Sequence, residues 1–191
     1  FMTLNVAFLV SGRGSNLQAI IDSIEDGGLD AKIICVISNI PAAAALEKAD
    51  KHHIPTVVVD HKQFANKESY ENKLIETLKN YKIDLICLAG YMRILGPKII
   101  EEYEGNIMNI HPALLPSFPG LHAQRQALEY GAKITGCTVH FVDGGCDTGP
   151  VILQKAVDVL EDDNEESLSS RILMEEHKLY PQAIKLFAQG Q

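Results

Sequence analysis

Two short segments carry residue types suited to acyl chemistry. Asn109 and His111 close an apolar run and lie two residues apart, so in an extended strand both point to one face. An amide donor beside an imidazole suits a carbonyl whose oxygen turns negative under attack. The same spacing also fits a histidine bonded to nearby backbone. Asp143-Gly-Gly-Cys-Asp147-Thr-Gly-Pro150 has glycines at 144, 145 and 149 that permit positive φ and a turn. It reads either as a hairpin loop with two solvated aspartates or as the loop that brings Asp147 to His111. In the second case the carboxylate favours the imidazolium, orients the ring and accepts a proton, directly or through water.

Two further segments could hold ligands. Ser11-Gly-Arg-Gly-Ser-Asn16 follows an apolar run and opens a helix. Glycines let its backbone approach a ligand closely, and the helix presents unpaired amides to an anion. Ser15 and Asn16 can add donors; the bland alternative is an ordinary strand-to-helix turn. No Gly-Lys-Ser/Thr follows, and Leu17 stands where a dinucleotide fingerprint has its third glycine. Gly90-Tyr-Met-Arg-Ile-Leu-Gly96 could line a pocket for a flat heterocycle with Met92, Ile94 and Leu95, or could be core packing with a salt-bridged Arg93.

Other chemistries find no support. His52, His53, His61, His122, His140 and His177 lack metal-ligand spacing, and Cys35, Cys87, Cys137 and Cys146 form no C-x-x-C pair, so no metal is expected. His140 lies in an apolar run and reads as a bonded structural residue. Cys35 and Cys87 read as core residues. No G-x-S-x-G elbow marks a serine hydrolase.

These segments need a scaffold. Short apolar runs at Leu4–Val10, Ile33–Ile37, Thr56–Val59, Leu85–Ala89 and Ile107–Ile110 read as buried strands. Between them, Asn16–Glu25, Ala42–His52 and Lys67–Tyr81 read as helices. Such alternation predicts an α/β fold, an open doubly wound, mostly parallel sheet with helices on both faces. Beyond residue 110, His111–Gly120 reads as an ordered proline-rich loop and Ala123–Tyr130 as a short helix. Thr135–Val142 and Val151–Val157 read as an antiparallel pair near the C-terminal half. The acidic run Glu161–Glu166 is expected to favour the start of a long helix reaching Ala188, with Leu168, Ile172, Leu179, Ala183 and Phe187 on its buried face.

The 191 residues, 46% of them hydrophobic, are expected to form one domain over 2–191. A formal net charge of −8 argues against nucleic acid as a partner. No apolar run approaches the roughly 18 residues of a membrane span. With no signal-like segment and no disulfide pattern, a cytoplasmic location is expected. Monomer and homodimer both stay open.

Taken in order, Ser11-Gly-Arg-Gly-Ser-Asn-Leu-Gln18, Leu88-Ala-Gly-Tyr-Met-Arg-Ile-Leu95, Asn109-Ile-His-Pro-Ala-Leu-Leu-Pro116, Phe118-Pro-Gly-Leu-His122 and Gly149-Pro-Val-Ile-Leu-Gln154 resemble the glycinamide ribonucleotide formyltransferase family over essentially the whole chain. The resemblance implies the formyltransferase fold and formyl transfer from 10-formyltetrahydrofolate to the amine of glycinamide ribonucleotide in purine biosynthesis. It implies Asn109, His111 and Asp147 as catalytic residues, and Gly14, Ser15 and Asn16 as holders of the ribonucleotide phosphate. Arg13 stands where some relatives have asparagine and adds a charge nearby. The resemblance puts Glu176 near the sugar and amine. It puts the folate against Met92, Arg93, Ile94, Leu95, Asn109, Val142, Asp143 and Asp147. Lys67 falls where relatives carry an arginine that meets the folate; lysine keeps the charge without the planar fork. The alternatives are a formyltetrahydrofolate deformylase, which is expected to carry an added N-terminal domain, and a non-catalytic nucleotide-binding module.

Overall fold

The computed structural model describes residues 2–190. Gln191, the last residue of the expected domain, lies outside the described residues. Seven strands form one sheet in the order β3-β2-β1-β4-β5-β6-β7. β1 (Leu4–Val10), β2 (Ala31–Ser38), β3 (Thr56–Val58), β4 (Leu85–Ala89) and β5 (Ile107–His111) are parallel. β6 (Ile134–Phe141) and β7 (Val151–Asp158) add to it antiparallel. The doubly wound, mostly parallel sheet with antiparallel strands at one side is therefore as expected.

The continuous apolar strands split by parity. Val6, Phe8 and Val10 of β1 face one core, with α1 (Ser15–Glu25), α2 (Ala44–Lys51) and α6 (Glu165–Ala188) against them. Ala7 and Leu9 face the other, covered by α3 (Lys67–Lys79) and α4 (Pro97–Glu102). Burial on both faces is why these strands read as unbroken apolar runs. α5 (Ala123–Tyr130) packs beside α6.

Helix starts follow local chemistry. Asn66 and Asn164 each close a capping box, with Ser69 and Ser167 respectively. The acidic run divides: Glu165 and Glu166 occupy the first turn of α6, while Asp163 precedes it and pairs with Arg171 through two 2.7 Å contacts. That hydrogen-bonded guanidinium holds the Asp163 carboxyl well below its usual range. α4 has no counterpart in the sequence reading. Six residues are too few to show a helical period, and its one local mark is Pro97 directly after Gly96.

α6 is bound to the sheet by Tyr180. Its fully buried hydroxyl donates to the Leu88 carbonyl at 2.8 Å, with the Met108 carbonyl at 3.3 Å. One proton thus ties the helix to β4 and β5, the strands that end in the cleft described below. Among the described residues no helix is long and apolar enough to cross a membrane. Replacing Tyr180 by Phe keeps the ring and removes the tie. The expected loss is about 1 kcal/mol in urea-unfolding stability; an unchanged midpoint would refute this role for the hydroxyl.

Candidate active site

In the strand order, β1 sits between β2 and β4, so the connections after β1 and β4 leave toward opposite faces. A crevice opens at such a point beyond the carboxyl ends of the strands. Here it is a cleft of about 710 Å³. Gly14, Ser15, Asn16, Met92, Arg93, Ile94, Leu95, Asn109, His111, Val142, Asp143, Asp147 and Glu176 all line it. Lys67 does not. It stands at the start of α3 with its amine 3.6 Å from Glu71.

At one end of the cleft lies the loop after β1. Gly14 has φ 71° and precedes α1, whose start has no side-chain cap. A Cβ on Gly14 would come within 2.6 Å of Ala45 Cβ, so glycine here allows both the turn and close contact with α2. The uncapped first-turn amides form a site for an anion. Lys48 flanks it, donating to the Arg13 carbonyl at 2.9 Å. The Asn16 side chain turns away from the loop and donates to Glu176 Oε2 at 2.8 Å. Both residues are buried. Burial pushes the Glu176 carboxyl pKa up, and the Asn16 bond opposes that shift.

At the other end, Asn109 and His111 share one face of β5, which is paired along its edge with β6. Register sets Asn109 opposite His140 and His111 opposite Thr138. His111 Nε2 lies 2.8 Å from the Phe118 carbonyl, and Nδ1 lies 3.4 Å from Asp147 Oδ2. Nε2 thus faces a backbone carbonyl, and Nδ1 faces a carboxylate oxygen. Asp147 Oδ2 also accepts the Gly120 N–H at 2.8 Å.

His140 is bonded, as its apolar run implies, yet it also lines the cleft. Its Nδ1 donates to the Phe141 carbonyl at 2.9 Å, which leaves Nε2 as an acceptor for Asn109 Nδ2 at 3.3 Å. Burial lowers the His140 pKa below its ordinary 6.5, outweighing the nearby Asp147 charge. The Asn109 amide thus has one N–H directed to His140 and the other left over. This partner of Asn109 was missed from sequence because only the β5–β6 register sets the two side by side.

Two loop readings need correction. None of Gly144, Gly145 and Gly149 has positive φ; the left-handed residue is Asp147 itself, at φ 55°. Gly149 is needed for proximity instead, since a Cβ there would meet the Phe141 carbonyl oxygen at 1.8 Å. Nor are the aspartates both solvated. Asp143 Oδ1 accepts from Thr148 Oγ1 at 2.6 Å and from the Gly145 N–H at 2.9 Å, bonds that hold its carboxyl low. Asp147 has a side chain only 12% exposed.

The proline-rich segment after His111 is held by more than its prolines. The buried Thr138 hydroxyl donates to the Ala113 carbonyl at 2.7 Å and accepts the Leu115 N–H at 3.1 Å and the Gln154 amide at 3.0 Å. That is the full capacity of a hydroxyl.

A cleft with uncapped helix amides at one end and an Asn-His-Asp set at the other has the layout of a group-transfer site. The chain belongs to the formyl transferase family, whose model matches residues 4–184. It is 44% identical to the phosphoribosylglycinamide formyltransferase of Bacillus subtilis over 179 residues, 94% of this chain and 92% of that one. A trifunctional purine biosynthetic protein adenosine-3 of Drosophila melanogaster is 50% identical across 97% of this chain, which spans only 14% of that protein's length. The crystal structure of glycinamide ribonucleotide transformylase 1 from Symbiobacterium toebii superposes with a TM-score of 0.96 at 47% identity, over 98% of this chain and 89% of that one. A formyltetrahydrofolate deformylase from Pseudomonas syringae shares the scaffold at 29% identity and TM-score 0.91, over 99% of this chain and 62% of that one.

The hydrogen bonds of His140 predict its tautomer. Nitrogen NMR across a pH titration should find His140 taking up its proton at lower pH than an ordinary histidine, and its neutral form carrying the proton on Nδ1. A proton on Nε2 would contradict the Asn109 contact. The sign for stability follows: the unfolded chain takes up a proton near 6.5 that folded His140 refuses. This group therefore contributes stability above that pH, and the contribution is lost as the pH falls toward its lowered folded value.

Proposed function

We propose that this chain transfers the formyl group of 10-formyltetrahydrofolate to the amine of glycinamide ribonucleotide, in purine biosynthesis. One observation carries the reading. A single cleft joins an uncapped helix start flanked by Arg13 and Lys48 to the Asn109, His111 and Asp147 set. An anionic acceptor held at Gly14, Ser15 and Asn16 extends its amine toward that set, with Glu176 beside its sugar. The folate heterocycle lies against Met92, Arg93, Ile94 and Leu95 and the loop from Val142 to Asp147. The bacterial relative of nearly full length bears the name of this activity.

The chemistry follows from the geometry. The acceptor amine attacks the formyl carbon, a new C–N bond forms, and the carbonyl π electrons move onto oxygen. The Asn109 N–H that does not face His140 and the His111 imidazolium stabilise that oxygen. At 3.4 Å the His111 Nδ1 is not engaged in a close hydrogen bond with Asp147, which leaves a proton there available to an approaching oxyanion. Asp147 takes the proton released by the amine and passes it, directly or through water, to the folate nitrogen as the old C–N bond breaks. Holding both substrates in one cleft supplies proximity.

In this reading the domain runs over 2–191, works in the cytoplasm as a monomer or homodimer, and takes no nucleic acid as partner. Hydrolytic deformylation is the second reading, since a deformylase shares the scaffold. The anion loop and Glu176 favour the ribonucleotide, because water as acceptor needs neither. A non-catalytic nucleotide-binding module would leave the Asn-His-Asp set without work.

The test is an absorbance assay with 10-formyltetrahydrofolate, with and without glycinamide ribonucleotide. Folate loss that depends on the ribonucleotide supports transfer; loss without it supports deformylation. His111→Ala and Asp147→Asn should each lower kcat on the order of 100-fold or more while circular dichroism stays native. Wild-type turnover in either variant would remove that residue from the mechanism. Lys67 reaches the folate only by leaving Glu71, so Lys67→Ala should raise the folate KM and leave kcat alone. An unchanged KM would take Lys67 out of the site.

A further inference from the structure

One side chain touches both halves of the cleft without lining it. Ser11 directly follows β1 and begins the anion loop. Its hydroxyl donates to Asn39 Oδ1 at 2.5 Å and accepts the backbone N–H of Met92 at 2.9 Å. The second direction is unambiguous, because an amide nitrogen can only donate there. Asn39 is itself buried at the end of β2, with its Nδ2 at 3.3 Å from His61 Nδ1. So β2, β1 and the segment after β4 meet at one hydroxyl, at the point where the strand order reverses.

Segment 90–96 lies outside helix and strand and depends on side contacts for its position. Leu95 is buried in one core. The Tyr91 hydroxyl bonds that of Tyr70, and the Arg93 guanidinium stacks over the Tyr70 ring at 4.9 Å. Those anchors lead to the sheet face beneath α3. The Met92 amide alone is tied to the anion loop, 81 residues away in sequence.

We infer that Ser11 is a positioning residue that couples the two substrate half-sites, an inference that rests on the two-substrate reading above. An anion that draws the amides of residues 12–16 toward itself orders Ser11, and Ser11 orders Met92 and the wall behind which the folate binds. By reciprocity, a folate that orders this wall tightens the anion loop equally.

The coupling is read in the non-reacting complex of tetrahydrofolate with glycinamide ribonucleotide, by titration calorimetry. In the wild type, saturating ribonucleotide should tighten tetrahydrofolate by about fivefold or more. Ser11→Ala should bring that ratio close to one and raise the KM of both substrates about tenfold, since it leaves the Met92 N–H without a partner. Ser11→Thr, which restores the hydroxyl, should recover the ratio. A merely structural role would lower melting temperature and leave the ratio intact. On the wild type itself, ribonucleotide alone should slow hydrogen exchange at the Met92 amide. Unchanged exchange there, or a wild-type ratio in Ser11→Ala, overturns the coupling while leaving formyl transfer standing. Wild-type protein that binds neither ligand overturns the parent reading and this inference with it.

Discussion

β1 carries parallel partners on both sides, pairing with β2 from Leu4 to Val10 and with β4 from Val6 to Val10. Everything at the cleft depends on this. A strand bonded along both edges cannot shift register without breaking two ladders, so the exit point of Val10 is set to within one residue. A slip of one residue would also swap its two buried faces. The loop at Ser11–Gly14, the segment after Ala89 and the side chains of Asn109 and His111 all take their positions from that frame. Loops carry these chemical groups, but the sheet decides where each loop begins.

A second constraint is electrostatic. The cleft holds carboxylates at Asp147 and Glu176 in surroundings that exclude most water, and buried charge needs a partner. Asp147 has the Gly120 N–H and His111. Among the described residues the Glu176 carboxyl has the Asn16 amide alone, and burial pushes its pKa up. The two histidines beside Asp147 are kept distinct by their backbone contacts. His140 donates through Nδ1 to Phe141 and has its pKa lowered by burial, while His111 faces acceptors through both nitrogens. A site that needs one proton in a known place benefits from such asymmetry.

What could be read from sequence follows how local its cause is. β4 and α5 fall where hydrophobic period and turn residues place them, at Leu85–Ala89 and Ala123–Tyr130. The cleft segments after β1, β4, β5 and β6 were legible because ligand sites in this architecture follow strand ends, and each carried glycine, proline or amide chemistry there, whereas Glu176 within α6 came only from the family resemblance. Their mutual arrangement was not. Asn16 meets Glu176 across 160 residues, and Ser11 meets Met92 across 81. No window of sequence holds such pairs. The positive φ at Asp147 was likewise assigned to its glycine neighbours by residue preference, whereas tertiary contacts to Gly120 and His111 settle it on the aspartate.

The net charge of −8 stands against the proposed binding of two anionic ligands. The conflict is resolved by scale. Exposed charges beyond about 10 Å are largely screened at moderate salt, so the overall balance sets solubility more than local affinity. At the cleft, attraction for the proposed anion falls to local groups: uncapped amides at the start of α1, Arg13 in the lining, and Lys48 just behind it on the Arg13 carbonyl. The amides and dipole of a helix start are part of the backbone and need no ordering of long side chains when a ligand arrives. An acidic protein can therefore hold a phosphate with few cations, provided its backbone is turned correctly. Here that turn requires a glycine at position 14, where both φ 71° and the contact with Ala45 exclude a larger residue.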